Sequence, residues 1–177
     1  MNTANYSKIY RILHWSIAFA MLFILITIFL RLTWMNKYNV AEIIQNYLTN
    51  EGISLTDDKA IVLAKNIRRP MWNWHIYIGY VLTGLFSLRF LLPFFGEMKF
   101  QNPLAKGQTG IDKFKKWTYL IFYLCITVTL STGLVMEFAT KEFSKPFESI
   151  HELSLYYLIP FVLIHLAGVL KAEFTNQ

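Results

Sequence analysis

The chain contains four histidines, His14, His75, His151 and His165, and each lies inside a long apolar run rather than in a polar loop. An ionisable side chain in such a run is costly unless it faces a protein interior and finds a partner there. A single histidine near the end of a span reads most simply as an interfacial residue whose ring reaches the headgroup level. His165 lies deeper and resists that reading. His151 and His165 are 14 residues apart, which on one continuous helix separates them by about 40° around the axis and about 21 Å along it. With successive spans alternating in direction, His75 starts its span on the side of His151, and His14 starts its span on the side of His165. The four residues then form two level pairs, one near each membrane surface.

Two imidazoles from facing helices are what a low-spin haem iron needs as axial ligands. Apolar surroundings favour the neutral ring with its lone pair, and a flat macrocycle fits between helices. Zinc or copper is a weaker match, because each level offers two nitrogen donors and no carboxylate or thiolate to complete a shell. A proton relay is the other rival, but a relay does not require level pairs. Gly79, one turn after His75, together with Gly84, Gly133 and Gly168, would give a porphyrin flat clearance; glycine serves close helix packing equally well. Arg11, Arg89, Arg68 and Arg69 could pair with haem propionates, although arginines at span ends are more often snorkelling anchors.

These residues are positioned by apolar runs at about 12–34, 74–95, 117–138 and 150–170, each close to the ~20 residues of a spanning helix. Of the 177 residues, 55% are apolar and only 16% charged, against roughly 25% charged in a soluble domain. The expected fold is therefore all-α and integral to the membrane: one domain over residues 1–177, an antiparallel four-helix transmembrane bundle. The five tryptophans fall at the ends of the runs (Trp15, Trp34, Trp72, Trp74, Trp117), where amphipathic rings settle at the interface. The first run is too long for a signal-peptide core and is expected to stay as helix one. Cys125 stands alone, which excludes a disulfide framework, a cysteine zinc site and an iron–sulfur cluster. No Cys-x-x-Cys-His, Gly-x-Gly-x-x-Gly or phosphate-loop motif occurs, so covalent c-type haem and the usual nucleotide cradles are excluded. The net charge of +6 fits lipid headgroups and the positive-inside bias, and no nucleic-acid partner is expected.

The connection over 36–70 has a pattern of its own. Val40, Ile43, Ile44, Tyr47 and Leu48 follow one helical face. A second short helix is expected from Thr56, with Asp57 and Asp58 in its first turn and Ala60, Leu63, Ala64 and Ile67 following. Gly52 separates the two, and both are expected to lie on the outer surface between helices 1 and 2. Lys and Arg divide almost evenly between the two sides. The hairpin from Arg89 through Lys99, Lys106, Lys113, Lys115 and Lys116 is dense in cations, and it places both termini in the cytoplasm.

His14-Trp15 after a short basic N-terminus, His75-Ile76-Tyr77-Ile78-Gly79 followed by Leu88-Arg89-Phe90-Leu91, and the His151/His165 pair in the last run resemble the prokaryotic cytochrome b561 family. The same arrangement is similar to the cytochrome b subunits of nickel–iron hydrogenases and formate dehydrogenases. The likeness covers the four spans and leaves out 36–69. It implies a bacterial inner-membrane electron carrier with two b haems, one held by His75 and His151 on the outer side and one by His14 and His165 on the inner side. It also implies exchange of electrons with a membrane quinone, on the inner face near His14, Lys116 and Trp117. Two donors are compatible with it. Superoxide would be drawn by the basic residues before His75 (Lys65, Arg68, Arg69) and before His151 (Lys141, Lys145). A soluble or membrane electron-donor protein would make the chain an anchor subunit. Acids on the same outer side (Glu42, Glu51, Asp57, Asp58, Glu142, Glu148, Glu152) blunt the field. A haem-free membrane scaffold or transporter is the reading from another class; it leaves the level pairing to coincidence.

Overall fold

The computed structural model describes residues 8–96 and 99–175. Its elements are α1 (Lys8–Leu32), α2 (Lys37–Asn50), α3 (Asp57–Leu91) ending in a 3-10 turn (Leu92–Phe95), α4 (Gly110–Phe138), α5 (Lys141–Glu152) and α6 (Ser154–Thr175), with no strand among the described residues. Four helical stretches are long and apolar enough to cross a membrane: Lys8–Leu32, Asp57–Phe95, Gly110–Phe138 and Lys141–Phe174. Only 11–22% of the residues in their apolar windows are buried within the protein. Side chains such as Phe19, Phe29, Leu124 and Leu163 face outward, which water would penalise and hydrocarbon does not. Trp15, Trp34, Trp74 and Trp117 are also exposed, as rings at a headgroup boundary are.

The chain divides into two compact units, Met1–Met98 and Lys99–Gln177. In the first, α1 and α3 run in opposite directions, since Thr27 meets His75 while the later Arg31 meets the earlier Trp72. The second unit repeats the arrangement: Thr129 meets Tyr157, Phe122 stacks on Phe161, and Tyr119 meets His165.

Local signals explain most boundaries. Asn36 caps α2 by accepting from the Tyr38 amide at 3.0 Å. Gly52, at φ 75°, closes that helix, with the Ile53 N–H on the Leu48 carbonyl and the Gly52 N–H on the Thr49 carbonyl. That pair of bonds is a Schellman motif, and the left-handed residue it needs is most easily glycine. Thr109 caps α4 by accepting from the Asp112 amide at 3.2 Å. Hydrogen bonding along the backbone does not stop where apolarity stops, so α4 begins at Gly110, well before the apolar run at 117.

Two expectations about the elements are corrected. The helix around 40–48 is present as α2, but the second short helix from Thr56 has no end of its own. It forms the first turns of the 35-residue α3, which continues through Pro70 to Leu91. Proline there removes one backbone donor; at roughly 3 kcal/mol this is outweighed by packing on both sides of it. Upstream, the fully buried Ala60 and Ala64 receive Ala41 of α2 in a cluster walled by Val40, Ile44, Leu55 and Ile61. The small side chains let the two backbones approach closely. Second, the helical stretch Lys141–Phe174 tightens by one residue near its start. Leu153 lies between α5 and α6, and the Tyr156 N–H bonds the Leu153 carbonyl at 3.0 Å, one residue tighter than α-helical spacing. Leu153 keeps right-handed helical backbone angles, φ −60° and ψ −15°, so the rotation and rise assigned to His151 and His165 on a single helix are shifted slightly at this turn.

Candidate functional site

In the first unit, His75 projects from α3 against α1. Its Nδ1 lies 2.9 Å from the Thr27 hydroxyl, and Thr27 is only 3% exposed. The Thr27 hydroxyl hydrogen is already directed to the Ile24 carbonyl at 2.7 Å. The threonine oxygen must therefore accept, and His75 Nδ1–H must donate. In the neutral ring that tautomer puts the lone pair on Nε2. Trp72, one turn earlier, stacks on the ring with centroids 4.4 Å apart and planes 5° apart, so the imidazole is fixed in both plane and tautomer.

His151 reaches the same chemical state by a different route. Its Nδ1 lies 3.0 Å from the Thr129 carbonyl of α4, and a carbonyl can only accept, so Nδ1 carries the proton. The Thr132 hydroxyl stands 3.3 Å from the same nitrogen. The Thr129 hydroxyl accepts from Tyr157 of α6 at 2.9 Å, which ties the supporting turn to the next helix. Gly133 makes the approach possible. A Cβ built there would lie 3.0 Å from His151 Cε1 and 3.4 Å from Nδ1. The clearance expected for a porphyrin at this glycine is used by the imidazole itself. At Gly79, Gly84 and Gly168 an added Cβ meets nothing within 4 Å.

His165 of α6 places Nδ1 2.9 Å from the Tyr119 hydroxyl of α4 and stacks with Phe161 at 6.0 Å and 11°. His14 stacks with Tyr10 at 6.1 Å and 7° and meets the edge of Trp15 at 5.9 Å. Arg11 is exposed on α1, whereas Arg89, in the last turn of α3, is only 8% exposed.

The helices α1 and α4, which have no such tightened turn, measure the levels of the histidines. On α1, His14 and the His75 partner Thr27 are 13 residues apart, about 20 Å. On α4, Tyr119, which holds His165, and Thr132, which meets His151, are also 13 residues apart, again about 20 Å. Each unit thus carries one histidine at each of two levels with matching separation. The antiparallel pairing that sets His75 beside Thr27 also sets Arg89 about level with Leu13, near His14 and far from His75.

Sequence reasoning named the four histidines and missed what holds them. Thr27, Thr129, Thr132 and Tyr119 are ordinary residues of apolar helices, and their one sequence signal is a hydroxyl within a span. Among the described residues no three His, Cys, Asp or Glu side chains come together as a metal cage. A haem iron brings four equatorial nitrogens and asks the protein for axial ones, and imidazoles with the proton held on Nδ1 suit that request.

A multi-pass helical membrane protein with oriented intramembrane histidines is the class that fold and site define. The chain belongs to the prokaryotic cytochrome b561 family, whose model matches residues 5–177. That membership makes it a membrane cytochrome with b-type haem, acting in electron transfer. Comparison with curated proteins and with solved structures finds no match.

Proposed function

We propose that the protein carries electrons across a bacterial inner membrane, between a donor on the outer side and the quinone pool, with two b haems in an antiparallel four-helix bundle whose termini are cytoplasmic. His75 and His151 are assigned to the outer haem, and His14 and His165 to the inner one. Arg11 and Arg89 are assigned to propionates of the inner haem, and Gly79 to clearance beside the outer haem. The observation that carries this reading is the matched spacing: each unit presents a histidine at two levels about 20 Å apart.

A bis-histidine haem, when bound, supplies reversible one-electron transfer without an open position for substrate. The residues of this chain do the rest. Thr27 and the Thr129 carbonyl hold protons at Nδ1 of His75 and His151, and so present Nε2 to a metal in a fixed orientation. Trp72 and Phe161 hold ring planes. The outward apolar surface keeps water from the span.

Reduced-minus-oxidised spectroscopy with haem quantitation on the purified protein tests the proposal. The expected result is two b haems per chain, and a colourless protein overturns it. For the donor, superoxide, which becomes dioxygen on giving up one electron, is favoured by Lys65, Arg68 and Arg69 upstream of His75. Stopped-flow reduction should then be fast and salt-sensitive, and slower when Arg68 and Arg69 are neutralised. A second reading, the anchor subunit of a larger dehydrogenase, draws on α2, where Ile43 and Tyr47 are exposed as an uncovered apolar face. Slow, salt-insensitive reduction by superoxide would favour it.

A further inference from the structure

The first unit contains a cleft to which the haem assignment gives no ligand, although its wall includes Trp72, which stacks on His75. It has a volume of about 300 Å³ and is lined by Arg31 from the end of α1 and by Lys65, Asn66, Arg68, Arg69 and Trp72 from α3, with no carboxylate in its wall. That volume is at the lower end of small-ligand sites. Two of its four cations are held in place. Arg31 lies 4.0 Å over the Trp72 ring, and Arg68 donates to the Met35 carbonyl at 3.1 Å. Both guanidiniums line the one cleft, and an anion between them would offset their like charge.

The cleft also has a definite level. Arg31 falls in the last turn of the apolar α1, the exposed Trp34 follows it, and on α3 the apolar run begins just after Arg69. Cations, an amide donor and an indole at the boundary between apolar and charged surface suit a phosphate group: guanidiniums bind its oxygens in pairs, lysine adds charge, and Asn66 can donate a neutral hydrogen bond. We propose that this cleft is a phosphate-binding site, filled by the headgroup of an anionic phospholipid or by a free phosphate. The proposal goes beyond the electron-transfer reading and does not depend on it.

Native mass spectrometry of the full chain with its haem, in neutral detergent, tests this with phosphatidylglycerol, phosphatidylcholine and inorganic phosphate as probes. Wild type, with four cations lining the cleft, should retain phosphatidylglycerol at concentrations on the order of several hundredfold below those needed for phosphatidylcholine. Each cation near an anionic headgroup contributes a factor of about five. Arg31→Gln with Arg68→Gln should therefore cut the preference about 25-fold. Lys65→Gln, at an exposed side chain where folding is not at stake, should weaken it about fivefold. Displacement of the lipid by millimolar phosphate would identify a free-anion site, and resistance to displacement would identify a lipid site; both support the proposal. Equal retention of the two lipids by wild type overturns it, as does an unchanged preference in both variants. Haem loss from the arginine variant with lipid preference intact also overturns it, by assigning these cations to a haem carboxylate.

Discussion

Gly133→Ala adds one methyl group to the interior of α4 at the point where His151 approaches. The new Cβ would stand 3.0 Å from Cε1 of the ring, so the imidazole must retreat by a few tenths of an ångström. That shift takes the 3.3 Å contact with Thr132 to the edge of hydrogen-bond range and stretches the 3.0 Å bond to the Thr129 carbonyl. Overpacking of this kind costs about 1–3 kcal/mol, while replacing glycine by alanine inside a helix returns about 1 kcal/mol. The net loss of stability is therefore small, and the fold should persist. The ligand's orientation has no such compensation. Changes in the groups that orient a metal ligand typically cost about 10–100-fold in affinity. In the proposed assignment the His151 haem should be lost on dilution, or change its midpoint potential and low-spin electron paramagnetic resonance signal, while the His14/His165 haem keeps its own. Haem quantitation, potentiometric titration and the spin signal read this directly. A variant that keeps two haems with unaltered potentials and signals refutes the positioning argument. A wild type without haem refutes the function instead.

Thr27→Val keeps the shape of the side chain and deletes the acceptor for His75 Nδ1–H. Leaving that donor unsatisfied costs about 1–3 kcal/mol, and haem quantitation should show loss of the His75 haem, with recovery in Thr27→Ser. Tyr119→Phe removes the hydroxyl beside His165 and should alter the spin signal and potential of the other haem alone. His165→Ala should remove one haem, and an unaltered visible spectrum would favour the haem-free scaffold. Ala64→Leu overfills the junction of α2 with α3, where Ala64 is fully buried. Destabilisation of about 1–3 kcal/mol should appear as faster amide exchange in α2 with haem content unchanged.

Spans and histidines were legible in the sequence because hydropathy and residue type are local properties: about 20 apolar residues read as a crossing whatever their neighbours are. The capped α2 was legible for the same reason, since its helical face and Gly52 lie within one short segment. The continuity of α3 was not, because the change from charged to apolar residues around Pro70 resembles a boundary while the backbone ladder runs on through it. Nor was the tightened turn at Leu153, which falls among the polar residues His151, Glu152 and Ser154 at the start of the last run. The state of each histidine was furthest from reach. Which ring nitrogen holds the proton depends on a partner 48 residues away for His75, 46 for His165 and 22 for His151. The ordinary glycine at 133 gains its importance only because another helix brings an imidazole against it. Composition decides that a segment enters the membrane. Tautomer, ring plane and close approach are set by what the neighbouring helix presents, and only packing brings those groups together.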